Sequence, residues 1–86
     1  MKDLESLRKE IDLLDEQLWE IIAQRVDVAR KIGEWKRAHG EQVVQPERFQ
    51  QVIDHCLVQG KQYGLSETVI REVMKALHKE SVRVES

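Results

Sequence analysis

An all-α fold of three helices, one of them very long, follows from three features of the sequence. Apolar residues recur at helical spacing from Leu4 to Trp35, and β-branched alternation is nearly absent. Breakers are also few, with one proline and four glycines among 86 residues. The chain reads as one small domain, residues 1–86, of a size that buries only about 60% of its unfolded surface alone.

The first helix is predicted from Lys2 or Asp3 to about His39, with Gly40 as its stop. Acidic Asp3 and Glu5 lead it, and Lys36, Arg37 and His39 close it, as the helix dipole favours. Gly33 is its one interior weak point, costing about 1 kcal/mol against alanine. Its seam runs through Leu4, Leu7, Ile11, Leu14, Leu18, Ile21, Arg25, Val28, Ile32 and Trp35 in unbroken 3-4-3-4 order. Arg25 stands there in place of a leucine. An unpaired buried charge costs several kcal/mol, so this residue either buries an ion pair or keeps a place for an anion.

A loop over 40–45 precedes Pro46, which fits the first turn of a second helix. That helix carries Phe49, Val52, Ile53, Cys56 and Leu57 on one face and ends between Gly60 and Gly64. Gly64-Leu65 resembles a glycine cap with its hydrophobic follower, and Ser66 is a good N-cap for the third helix. The third helix bears Val69, Ile70, Val73, Leu77 and Val84 on its apolar face.

A first helix of about 36 residues is about 54 Å long, whereas a compact chain of this size has a radius of gyration of about 12 Å. The helix must overhang its own domain, with its seam apolar throughout. Two shorter helices cannot cover that seam, and a two-fold homodimer is the simplest covering. A bare coiled coil is the rival, but helices two and three carry too much apolar surface for a rod.

Composition narrows the function. Charged residues make up 35%, yet the net charge is only −2, which argues against nucleic acid or a membrane surface as partner. The sequence suggests neither a signal peptide nor a membrane span, so a cytoplasmic setting is expected. The lone Cys56 reads as a small buried hydrophobe in a reducing compartment. No zinc spacing, Cys/His pair, P-loop or GxGxxG is present, so no metal or cofactor is expected.

Several polar residues are candidates for a site. Lys36 lies eleven residues after Arg25. On an ideal helix that is about 20° around the axis and about 16 Å along it, so the two cations can converge on one small anion across Ile32. Arg8 lies about 25 Å before Arg25 and can join them only from an antiparallel partner subunit. Arg48 opens helix two, and His78, Ser81 and Glu85 form a polar stripe on helix three. By periodicity alone that stripe reads as solvent-facing, His78 as packed or at the solvent edge, and Arg48 as a surface cation. Only Arg25 rises above this background.

The run LRKEIDLLDEQLWEIIAQR, then VARKIGEWK, VVQPERF, GLSE and the ending ALHKESVRVE together resemble the all-helical chorismate mutases over essentially the whole chain. The Gln-Pro-x-Arg segment and the ending are most similar to the version fused to 3-deoxy-heptulosonate-phosphate synthase in some bacteria. The resemblance implies an intertwined homodimer of three-helix chains with two equivalent sites. It implies that Arg25, and Arg8 of the second subunit, bind the two carboxylates of chorismate. Lys36 would touch a carboxylate and the ether oxygen of the breaking bond. Arg48 would help hold the charged substrate, Ser81 would lie by a carboxylate, and Ile32 would form apolar wall. Glu85 stands where the family most often has glutamine, a second donor to the ether oxygen.

Two departures from the family mark this chain. Gln45 and Phe49 occupy positions near the ring hydroxyl of the substrate, where the family often has acidic residues. Phe49 cannot accept a hydrogen bond, and a similar loss occurs in the related isochorismate-pyruvate lyases. The implied reaction is the Claisen rearrangement of chorismate to prephenate, a step in phenylalanine and tyrosine biosynthesis. It needs no nucleophile, metal or proton transfer, only a held conformer and stabilised charge. An ionised Glu85 would repel the ether oxygen, so the protonated form is expected to act. Isochorismate-pyruvate lysis and an aminodeoxychorismate mutase remain alternatives, and a non-catalytic helical dimerisation or regulatory domain is the alternative of a different class.

Overall fold

A computed structural model describes residues 3–86, and within them the chain is three helices and no strand. Helix α1 spans Leu4–His39, α2 spans Pro46–Gln62 and α3 spans Glu67–Glu85. Lys2, the earlier of the two predicted starts, lies outside the described residues, as does the first residue of the predicted domain.

Local chemistry accounts for each boundary. Asp3 caps α1 by accepting from the Ser6 amide at 2.8 Å. This hydrogen bond from the Ser6 backbone holds the Asp3 carboxyl below its ordinary value. Gly40 ends α1 in the left-handed region at φ 67°, and the Glu41 amide turns back to the Lys36 carbonyl at 2.9 Å. Pro46 opens α2 at the position where its missing N–H has no helical partner to lose. Gly64, at φ 76°, closes α2 with the same reversal, the Leu65 amide reaching the Gly60 carbonyl at 3.2 Å. Ser66 starts α3 by accepting from the Val69 amide.

The packing is up-down-up. Arg25 meets Ser81 while Gly33 and Lys36 meet Glu85, so α3 runs parallel to the C-terminal half of α1. Gly60 lies against Ile70 and Phe49 against His78, so α2 runs antiparallel to α3. Helix α3 therefore sits between the other two. Both glycines sit at helix crossings: a Cβ on Gly60 would fall 2.5 Å from Ile70 Cδ1, and one on Gly33 would fall 2.7 Å from Glu85 Cα. Gly33 is thus no mere weak point but the place where the end of α3 rests on α1.

The overhang is large. The molecule measures 57 × 23 × 15 Å with a radius of gyration of 16.2 Å. Among the described residues only Ala29, Ile53 and Ile70 are fully withdrawn apolar side chains. Leu4, Leu7, Ile11, Leu14 and Leu18 stay exposed where α1 overhangs, and Ile21, Val28, Ile32 and Trp35 stay exposed on the packed half because they border an open groove. Three expectations about burial are corrected. Val69 and Val73 of the predicted α3 face are exposed, because they line an open groove beside α2 rather than a closed contact with it. Cys56 is half-buried rather than buried, lying beside them in a shallow second groove. Glu85, read by periodicity as solvent-facing, is 6% exposed, because Gly33 lets it close onto α1. No described helix is long and apolar enough to cross a membrane.

Candidate active site

An open groove of about 800 Å³ runs between the C-terminal half of α1, the start of α2 and the end of α3. Arg25, Ile32, Lys36, Gln45, Arg48, Phe49, Ser81 and Glu85 all line it, so the fold brings eight of the nine sequence candidates together. Arg8 is the exception. It sits exposed on the overhanging half of α1, about 25 Å along the axis from Arg25, and does not reach this groove in its own chain.

Arg25 holds its place through neutral partners. Its Nη1 donates to Ser81 Oγ at 2.8 Å and to the Leu77 carbonyl at 3.4 Å, the first strong and the second marginal. Among the described residues no carboxylate pairs with it. Of the two readings offered by its place on the seam, the ion pair within the chain is absent, and a half-buried guanidinium faces the groove.

The other end of the groove is tightly tied. Lys36 Nζ donates to Glu85 Oε1 at 2.6 Å and to the Val43 carbonyl at 2.8 Å. Both side chains are nearly enclosed, 14% and 9% exposed, so this pair is far better shielded than the surface pairs Arg30–Asp27 and Arg71–Glu67. Arg37 donates to the Glu85 carbonyl at 2.7 Å, binding the last turn of α3 to α1 and complementing its dipole. Gln45 uses its amide to hold the Gln42 carbonyl at 3.0 Å, which fixes the loop before α2.

The groove is strongly cationic for its size. Arg25, Lys36 and Arg48 line it, and Glu85 is the one acidic residue that does, itself neutralised by Lys36. Between these poles the walls are apolar, formed by Val28, Ala29, Ile32, Val52 and Met74. Such a surface suits a small, compact dianion with a hydrophobic body.

Sequence reasoning did not foresee three parts of the groove. His78 stacks on Phe49 with ring centroids 3.9 Å apart, so a residue read as merely packed or edge-lying belongs to the wall. Its i, i+3 relation to Ser81 was the available signal. The Val43 carbonyl acts through its backbone and carries no side-chain signal. Met74, one turn before His78, lay hidden among ordinary core spacing. Among the described residues no group of His, Cys, Asp and Glu side chains could hold a metal ion.

Comparison with known proteins identifies the family. Residues 7–86 match the family described as chorismate mutase type II. The T-protein of Haemophilus influenzae is 31% identical over 81 residues, covering 94% of this chain but 22% of that protein. The 4-amino-4-deoxychorismate mutase of Streptomyces venezuelae is 31% identical over 83 residues, covering 96% of this chain and 81% of the relative. A bifunctional chorismate mutase/prephenate dehydratase of Aquifex aeolicus is 35% identical over 65 residues, covering 74% of this chain and 18% of that protein. The chain thus spans about a fifth of the length of two of these relatives and most of the third.

Proposed function

The chain belongs to the chorismate mutase type II family, and we propose that it converts chorismate to prephenate in the groove between its helices. One observation carries the reading: Arg25, a half-buried guanidinium with no carboxylate partner among the described residues, shares with Lys36 a groove whose walls between them are apolar. A dicarboxylate with one reacting ether oxygen satisfies both ends.

In this reading Arg25 clamps one carboxylate with a planar fork that lysine does not reproduce. Arg48 adds positive charge at the mouth, and Ser81 both orients Arg25 and lies beside the bound carboxylate. Ile32 packs on the ring, with Gln45 and Phe49 on the opposite wall. Holding the compact diaxial conformer supplies the entropic part of catalysis. As the C–O bond breaks, negative charge grows on the ether oxygen, and Lys36 stabilises it; a donor of this kind is worth about 100- to 1,000-fold. Glu85, paired with Lys36 at 2.6 Å, faces the same ether oxygen and holds the ammonium in position. The groove residues given these tasks require no cofactor.

A second copy of the chain completes the site. The exposed seam from Leu4 to Leu18 needs a cover, and each such side chain withdrawn from water contributes about 1.5–3 kcal/mol. An antiparallel α1 pair brings the second subunit's Arg8 to the open side of Arg25, where it binds the other carboxylate. Residues 1–86 act as one helical mutase domain of a cytoplasmic protein. The Gln45-Pro46-x-Arg48 segment and the C-terminal run support kinship with the form fused to 3-deoxy-heptulosonate-phosphate synthase.

The test is direct. Incubate the protein with chorismate and with isochorismate separately, and follow prephenate, salicylate and pyruvate. Prephenate from chorismate supports the mutase. Salicylate and pyruvate from isochorismate would instead support the lyase that the absence of an acid at Phe49 also allows. Consumption of neither would leave a dimerisation domain.

A further inference from the structure

Six polar side chains of the groove are withdrawn from solvent, and five have hydrogen-bond partners: Arg25 with Ser81, Lys36 with Glu85, and Gln45 with the Gln42 carbonyl. The sixth is His78. Among the described residues its ring makes no hydrogen bond, only the stack on Phe49 at 3.9 Å and 24°. No described polar side-chain atom is buried without a partner, so the free ring nitrogens of this half-buried imidazole are open to the groove, one a donor and the other an acceptor when the ring is neutral. Stacking fixes the ring's plane and leaves its edge for a ligand.

Its position matches one part of the proposed substrate. His78 lies seven residues before Glu85, about 10 Å along α3. Two hydrogen bonds of about 2.8 Å, with about 3–4 Å between neighbouring ring substituents, bridge that distance. A ligand whose ether oxygen faces Lys36 and Glu85 therefore brings the substituent on the adjacent ring carbon to His78. In chorismate that substituent is a hydroxyl. In the substrate named for the Streptomyces venezuelae relative it is an amine.

Charge decides between the two. An amine there is largely protonated near neutrality and would join Arg25, Lys36 and Arg48 in a groove whose one lining carboxylate is already held by Lys36. A hydroxyl carries no charge and needs only one hydrogen-bond partner, which the edge of an imidazole supplies. We propose that His78, held flat against Phe49, recognises the ring hydroxyl and makes this groove selective for the 4-hydroxy over the 4-amino diacid. The assignment rests on the rearrangement proposed above.

Steady-state kcat and KM are measured for the wild type, His78→Leu and His78→Gln on chorismate, its 4-deoxy analogue and 4-amino-4-deoxychorismate. The wild type should prefer chorismate to either analogue by about tenfold, the effect of one hydrogen bond. His78→Leu should abolish the preference over the deoxy analogue, and His78→Gln should restore part of it. An unchanged preference in His78→Leu, or an equal loss on both substrates, overturns the role of His78. A wild-type preference for the amine overturns the selectivity. If the wild type converts none of the three, the rearrangement reading falls and this inference falls with it. Should His78→Leu not fold, the wild-type imidazole ¹⁵N resonances decide. They should move with a bound, unreactive bicyclic diacid that bears the hydroxyl, and equal movement with its deoxy counterpart refutes the contact.

Discussion

The two halves of α1 carry the same seam and meet different surroundings. From Ile21 to Trp35 the seam borders a groove shared with α2 and α3: Ala29 and Gly33 beside it are buried, while Ile21, Val28, Ile32 and Trp35 line the open groove and stay 44–61% exposed. From Leu4 to Leu18 the same spacing faces solvent, and Leu4, Ile11 and Leu14 remain about as exposed as ordinary surface residues. Periodicity specifies that a face must be covered, but not by what. Within the chain the packed half gains a groove rather than a cover, and the bare half is the surface that the proposed dimer would use. Arg8 and Arg25 sit one in each half, so the site of the proposed dimer would draw on both.

The largest expected effect breaks that division. Arg8→Ala and Arg25→Ala should each lose at least about 1,000-fold in kcat/KM, since each removes a charge-assisted carboxylate clamp. Mixed in equal amounts and allowed to exchange subunits, the two inactive proteins should recover about a quarter of wild-type activity, one intact site in each mixed dimer. Proven exchange without recovery would show that Arg8 does not serve a neighbouring site. A second test disturbs only the built half. Gly33→Ala places a methyl against the Glu85 backbone and should lower kcat by about 100-fold with helicity retained, through displacement of the Glu85–Lys36 pair. Wild-type kcat would mean that α3 shifts freely and that the close approach is not needed.

Leu14→Asp acts on the bare half alone. It should shift the sedimenting species from dimer toward monomer and reduce activity in proportion, while the isolated groove stays intact. An unaltered dimer would place the interface elsewhere. Glu85→Gln sharpens the chemistry of the other half. It removes the charge that holds Lys36 and leaves an amide donor facing the groove, so kcat should change about tenfold with helicity retained. An unchanged kcat would remove Glu85 from the reaction. The smallest effect lies at the far tip of α1. The Asp3 carboxyl is held below its ordinary value of 3.8, so its capping contribution is complete above that value and fades as pH falls below it. Asp3→Asn should keep the cap and lose this acid sensitivity in hydrogen exchange at the first turn, whereas Asp3→Ala should lose the cap at every pH.

Helix boundaries were readable because their causes are local. Asp3, Gly40, Pro46, Gly64 and Ser66 each act within a turn of their own position, and the structure places them as caps, breaks and starts. Arg25 was readable because one charge on an apolar seam violates the pattern around it. His78, Ser81 and Glu85 were not separable from a solvated stripe, since spacing on one helix says nothing about what crosses it. Glu85 became buried only because a glycine 52 residues away lacks a side chain.

The sequence by itself determined the three helices, the excess length of the first and the misplaced guanidinium, all consequences of periodicity and capping along one chain. Tertiary structure decided which polar residues share a groove, that Lys36 is bound to Glu85, and that His78 lies against Phe49. The Lys36–Glu85 pair depends on the parallel crossing of α1 and α3 at Gly33, and the His78–Phe49 stack on the antiparallel packing of α2 and α3 at Gly60, close contacts between separate segments that no local rule encodes. Arg25 joins the two levels. Periodicity marks it as anomalous, and only the fold gives it Ser81 in place of a carboxylate and leaves its charge to a ligand.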